Sequence, residues 1–456
     1  MTTSSAHDSP AATLRSSTDP AFPIAHPRPT SGWLNDPNGL CRVDGVWHVF
    51  FQYNPDSAQH RNVHWGHLSS PDLVAWTEEP VALAPPEEGP DRAGCWSGVM
   101  GFDGEEPVAV YSGVQQFDGS SRVTLVRGSS DLRRWGPDRH VAADMPDDER
   151  VTAVRDPFLL TIGGRRWALQ GAGLADGRAA VLLYDAADLW HWTYCGIWLD
   201  SSETPADVDA EIWECPQLVP FEDAGCWALI ICRWHSDEDG LTVRNSTRAL
   251  LLDVAEPTSD DPMPRPTVRS TAAVDDGDSF YAPQVLVHDD RALLVGWARE
   301  ERSQEASDAA GWAGLLTWPR ELFLRDGRLI STPAPECEGW RAGEALRHRI
   351  GAGTSPAMEL PPACDALVEA DTPGGASVRL IMLDEHGEPL ETTFSGRAER
   401  LVIDHSIVEI YRPDDAPCTL RVEPHGGQLW RLEAEEEATV TWWELRQWSP
   451  APSAPC

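Results

Sequence analysis

The chain contains no lysine: all 36 of its Lys+Arg cations are arginine, and 73 Asp+Glu leave a formal charge of -37 over 456 residues. Such a surface repels phosphate backbones and anionic lipid, which argues against nucleic-acid and membrane-surface partners. Long apolar runs are missing too. The longest, such as Cys-Trp-Ala-Leu-Ile-Ile-Cys at 226–232, is far shorter than the roughly 20 residues a membrane helix requires. Paired cysteines are absent: the ten Cys are scattered without a CxxC, so neither a zinc site nor a thioredoxin-like motif is expected. Residues 1–25 lack a basic start followed by an apolar stretch, so they do not resemble a secretory signal, and a cytoplasmic protein with reduced thiols is expected. GxGxxG, P-loop and GxSxG elements are likewise lacking.

Tryptophan is abundant, with 21 copies, and 36 Gly and 38 Pro point to a turn-rich, all-β chain. Asp-Leu-x-x-Trp recurs at 72–76, 131–135 and 188–192. A second pattern runs in step: an acid, an apolar strand, a Gly/Asp turn, then a strand with Trp, as in Asp36 to Trp47, Asp156 to Trp167 and Glu214 to Trp227. Short strands with turn signals at a fixed period describe a β-propeller, and residues 26–335 have room for five four-stranded blades. After residue 335 the repeat stops, and the short strands of 336–449 suggest a C-terminal β-sandwich. Residues 1–25 and 450–456 are expected to be unstructured tails.

In a propeller, equivalent positions of different blades converge on the central channel. Asp36, Asp156 and Glu214 are expected at one such position, bringing three carboxyls into one pocket. Crowded, buried carboxyls hold a proton on at least one member, and a neutral acid beside an ionised one is what glycoside cleavage needs. A calcium cage, helix caps or plain surface charge are the alternatives. Trp33, Trp65, Trp96 and Trp213 could pack on sugar faces, and Asn35, Gln52, Ser97 and Arg155 could bond hydroxyls. His60, His64 and His67 lie in a Pro/Asn/Ser-flanked stretch without helical pattern, and no metal is assigned to them.

The stretch Trp33-Leu-Asn-Asp-Pro-Asn-Gly39 resembles the WMNDPNG signature of glycoside hydrolase family 32, the β-fructofuranosidases. Phe51-Gln-Tyr-Asn-Pro55, His64-Trp-Gly-His67, Trp96-Ser-Gly98, Arg155-Asp-Pro157, Trp213-Glu-Cys-Pro216, Phe280-Tyr-Ala-Pro-Gln284, Gly311-Trp-Ala-Gly314 and Val402-Ile-Asp-His-Ser-Ile-Val-Glu409 follow in family order. The resemblance implies a five-bladed propeller followed by a β-sandwich, and a retaining hydrolase of terminal β-D-fructofuranosides with sucrose as the leading substrate. It implies Asp36 as nucleophile, Glu214 as general acid/base and Asp156 as transition-state stabiliser. Trp33, Asn35, Gln52, Trp65, Trp96, Ser97, Arg155 and Trp297 would shape the fructose pocket, without metal or cofactor. Sucrose-6-phosphate hydrolysis and exo-fructanase action on inulin or levan use the same residues, and an arabinan- or xylan-cleaving propeller carries a similar acid trio. A catalytically silent sugar-binding propeller is the reading from another class. Trp96 departs from the usual Phe, and residues 72–76 lack the usual His. The sequence carries no signal for oligomeric state.

Overall fold

A computed structural model describes residues 19–236, 246–260, 262–351, 353–370, 375–424 and 429–447. Strands dominate, and among the described residues the one α-helix is Gln304–Ala310. The strands form seven sheets.

Five of the sheets follow one another along the chain, beginning with Gly32–Val43, Gly94–Asp103, Val151–Ile162, Ile212–Phe221 and Phe280–His288. Each runs antiparallel from its first strand outward to its last. The turns explain the tight hairpins. Asp44-Gly45, Gly163-Gly164, Asp289-Asp290 and Asp326-Gly327 each place two consecutive residues at positive φ, the geometry of a two-residue turn whose twist matches that of the strands. The Asp-Leu-x-x-Trp repeat is also a turn, joining the third and fourth strands of the first three sheets. Asp72 Oδ1 accepts the N–H groups of Val74 and Ala75, and the indoles of Trp76, Trp135 and Trp192 donate to the carbonyls of Leu73, Leu132 and Leu189.

The first strands touch in cyclic order, the fifth returning to the first. Hydrogen bonds close each step. Gly98 N–H donates to Asn38, Asp156 N–H to Ser112, Cys215 N–H to Asp156, Val285 N–H to Gln217, and Leu40 N–H to Gln284. Gly32 and Trp33 also pair in parallel with Trp312 and Ala313, which follow the second strand of the fifth sheet. Apolar side chains fill the space between neighbouring sheets, as where Val110, Leu125, Ala168 and Leu182 meet.

Each first strand carries an irregularity at the same place, with two residues facing one across the ladder. Asn35-Asp36 face Gln52, Trp96-Ser97 face Ser112, Asp156-Pro157 face Gln170, Cys215-Pro216 face Ile231, and Ala282-Pro283 face Gly296. These are β-bulges, which re-aim side chains out of the ladder. Asp156, Cys215 and Ala282, each preceding a proline, have φ of 59°, 48° and 45°. The α region is disfavoured before proline, so the left-handed turn there is held by its surroundings.

The sixth and seventh sheets, with six and four strands, begin after the turn Pro335–Trp340 and share one apolar core. A buried polar network ties them to the first five. Arg320, in the fifth sheet, donates to Asp275 at 2.7 Å and to Thr419 at 2.6 Å and lies 3.4 Å from Glu409, with Arg320, Asp275 and Glu409 side chains all fully buried. The expected tail over 1–25 is corrected for 19–25: Asp404 accepts the N–H groups of Ile24, Ala25 and His26, and Ala21 and Ala25 are buried. A carboxylate with three backbone donors fixes a segment that composition alone marks as loose. The remainder of that tail, 1–18, and the tail at 450–456 lie outside the described residues.

Candidate active site

The bulges bring the three acids together, with one correction to the expected equivalence. Asp36 is the second residue of its bulge, Asp156 the first of its own, and Glu214 directly precedes one. They occupy three successive places rather than one. A bulge allows this because it breaks the strict alternation of side chains, so neighbours in sequence reach the same side. The residues matching Glu214 in register are Arg155 and Tyr281, and both touch it: Arg155 Nε is 3.0 Å from Oε1, and Tyr281 O–H donates to Oε2 at 2.8 Å.

Asp36 Oδ2 accepts from Ser97 Oγ at 2.5 Å and Gln52 Nε2 at 3.1 Å, and the Cys215 thiol stands 3.6 Å away. That thiol also faces Asp156 Oδ2 at 3.5 Å, whose other donor is the Cys215 N–H at 3.0 Å. Cys215 therefore separates two carboxylates and bonds to both. Burial, with a smaller contribution from the charge of Asp156, pushes the Asp36 carboxyl up to about 8, against the pull of the Ser97 hydrogen bond. Burial pushes Glu214 up to about 7, opposed by the Arg155 guanidinium. Asp156 is raised as well, chiefly by burial and again against Arg155. Three carboxyls in this space do not all ionise at neutral pH, which leaves a proton for donation.

Around the acids, Gln52 and Ser97 hold Asp36, and Arg155 lies between the rings of Trp96 (6.0 Å) and Trp234 (5.8 Å). Asn35, beside Asp36, has an Oδ1 that is buried without a partner. Trp297 packs edge-on to Tyr281, behind Glu214, at 6.4 Å. Trp33 stacks on His60 at 4.6 Å and joins Trp96 in one apolar cluster. Trp65 does not line the pocket. It is fully buried, donates its indole N–H to the Trp96 carbonyl at 2.9 Å and packs on Tyr111, so it supports the wall that Trp96 forms. Trp213 is also core, its N–H bonded to Val208 O. His67 is buried against His48 at 2.9 Å, and His64 bonds the Asn62 carbonyl.

Residues that the sequence reading did not assign are Tyr281, Cys215 and Trp234. The looser copy of the repeat at Tyr281-Ala-Pro-Gln284 aligns Tyr281 with Glu214 and is the signal that points to it. Trp234 stands in the stretch Arg233-Trp-His-Ser236, which matches no familiar motif.

Residues 26–333 match the N-terminal domain of the glycosyl hydrolases family 32. The chain is 32% identical to a sucrose-6-phosphate hydrolase of Klebsiella pneumoniae over 87% of each protein. It is also 32% identical to a raffinose invertase of Escherichia coli over 70% of this chain and 66% of that protein. Among solved structures, a family 32 β-fructofuranosidase of Bombyx mori superposes with a TM-score of 0.78 at 22% identity, over 95% of this chain and 96% of that one. A fructan 1-exohydrolase of Cichorium intybus with bound 1-kestose gives 0.75 at 20%, over 95% and 99%.

Proposed function

The chain belongs to glycoside hydrolase family 32, and from that premise we propose that it hydrolyses terminal β-D-fructofuranosides, sucrose foremost, by a retaining double displacement. In this reading the five cyclically arranged sheets, residues 26–335, are the blades of a catalytic propeller, and residues 336–449 form a β-sandwich packed on it. Asp36 is the nucleophile: its carboxylate attacks the anomeric C2 of the fructosyl unit while the bond to the leaving sugar oxygen breaks and Glu214 gives that oxygen its proton. Glu214 then takes a proton from water, which attacks the fructosyl ester and frees Asp36. Asp156 accepts hydroxyls of the same ring and stabilises its developing positive charge. Asn35, Gln52, Trp33, Trp96, Ser97, Arg155 and Trp297 shape the pocket.

The observation that carries the reading is the pair of buried carboxyls, both raised by burial so that a proton stays in the pocket near neutral pH. Asp36 Oδ2 faces three donors that can hold its carboxylate once formed, and Arg155 and Tyr281 fix Glu214 in place to give and take a proton. The test is product analysis with sucrose, alongside Asp36→Asn and Glu214→Gln. Equimolar glucose and fructose, lost in both variants, supports the assignment; full turnover by either variant overturns the role given to that residue.

A second reading, sucrose-6-phosphate as substrate, is favoured by the Klebsiella relative and by His60 on Trp33 with the exposed Arg61 beside it. The ratio of kcat/KM for sucrose and sucrose-6-phosphate decides between them, and inulin and levan test exo-fructanase action. All nine described cysteines are free thiols, which supports a cytoplasmic site of action. No described helix is long and apolar enough to cross a membrane.

A further inference from the structure

Phe117 is the most exposed large apolar side chain among the described residues, at 76%, where the next reaches 49%. Single exposed apolar side chains are ordinary. This one ends a row of rings. Trp33 stacks on His60 at 4.6 Å, His60 lies 6.1 Å from Trp96, and Trp96 lies 6.2 Å from Phe117 with the planes 34° apart. The row passes the acids at Trp96, the neighbour in sequence of Ser97, whose hydroxyl donates to Asp36. It runs outward from the buried Trp33 through the half-buried Trp96 to Phe117.

The loop that carries Phe117 is fixed in place. Asp118 accepts from Gln116, from Ser120 N–H at 3.0 Å and from Ser120 Oγ at 2.5 Å. Gly119, at φ 87°, accepts the Val154 N–H at 3.2 Å, which ties the loop to the strand bearing Asp156. A ring held out in water by a bonded loop is preorganised for a flat, apolar partner. The apolar face of a pyranose or furanose is such a partner, and the adjacent Asp118 carboxylate, kept below its ordinary range by the Ser120 hydroxyl and N–H, disfavours a phosphorylated one.

We propose that Phe117 is the platform of an outer subsite that receives the second sugar of a neutral leaving group, so that trisaccharides and longer chains gain a contact that sucrose does not make. The inference rests on the fructosidase reading above. A fructosyl unit seated at Asp36 sends its leaving group past Trp96; a disaccharide ends there, and a longer substrate reaches Phe117.

The test compares wild type, Phe117→Ala and Phe117→Trp by kcat and KM on sucrose, raffinose and 1-kestose. With Phe117→Ala, the kcat/KM of at least one trisaccharide relative to sucrose is expected to fall about 3- to 10-fold, through KM, as loss of one ring contact implies. Phe117→Trp is expected to restore it. An unchanged ratio for both trisaccharides, or one that Phe117→Trp fails to restore, overturns the proposal while leaving the fructosidase reading intact. If wild type cleaves none of the three, the reading as a hydrolase of neutral fructosides falls, and this proposal with it.

Discussion

Replacing Asp36 by Asn is expected to abolish turnover and yet stabilise the protein at alkaline pH. Folding raises this carboxyl from 3.8 to about 8, chiefly by burial. The folded protein therefore keeps the proton about four pH units longer than the unfolded chain, and stability declines as pH rises from about 4 through 8. At 1.36 kcal/mol per unit, the ceiling on that cost is about 6 kcal/mol. Buried sites respond as though the local dielectric were near 20, so we expect roughly 2–3 kcal/mol to be realised. Asn is neutral and nearly isosteric, and its Oδ1 can accept from Ser97 or Gln52 as Asp36 Oδ2 does. With an unfolding entropy of roughly 2 cal/mol/K per residue, the variant's midpoint should exceed wild type by about 2–3 °C at pH 8.5. The gap should shrink to a fraction of that at pH 5, where the native carboxyl is protonated. Differential scanning calorimetry of both proteins at the two pH values reads the effect. A variant no more stable than wild type at pH 8.5, or a gap equal at both pH values, would refute the argument that Asp36 is ionised at a cost.

Glu214→Gln should lower kcat by about 10²- to 10⁴-fold while the variant remains folded, with an unfolding midpoint near pH 7 no lower than that of wild type, checked by steady-state kinetics and scanning fluorimetry on one preparation. Glu214 titrates at about 7 and Asp36 at about 8, so kcat/KM should be bell-shaped with both limbs in that region. On the acid side Asp36 is protonated and cannot attack, and on the alkaline side Glu214 has no proton to give; a profile flat from pH 5 to 9 would contradict the assignment. Arg320→Met leaves Asp275 buried without its cation and Glu409 with His26 alone, and should cost about 3–5 kcal/mol, measured as a lowered thermal midpoint.

The sheets were legible in the sequence because their turns are local: Asp44-Gly45 and Gly163-Gly164 declare hairpins, and each Asp-Leu-x-x-Trp completes its hydrogen bonds within five residues. The acid trio was legible because it rides on those repeats. What was hidden depends on distance along the chain. Nothing near residues 19–25 announces that Asp404 will bond them, and nothing near Trp65 or Trp213 distinguishes an indole behind the wall from one in it. The bulges were hidden as well, since the count of residues from acid to Trp does not reveal where the ladder loses a step. That one-residue difference is why Glu214 fell into the same expected slot as Asp156.

The bulge shared by all five first strands separates what the pocket is made of from what holds the sheets together. Its residues stand outside the ladder, so Asn, Trp, Asp, Cys and Ala can occupy the same position while the flanking pairs stay in register. Selection can therefore rewrite the chemistry at one niche at a time, a hydroxyl for a carboxylate or a thiol for an amide, without renegotiating the scaffold. The positions five niches offer are a natural set for a combinatorial library aimed at new glycosidic linkages.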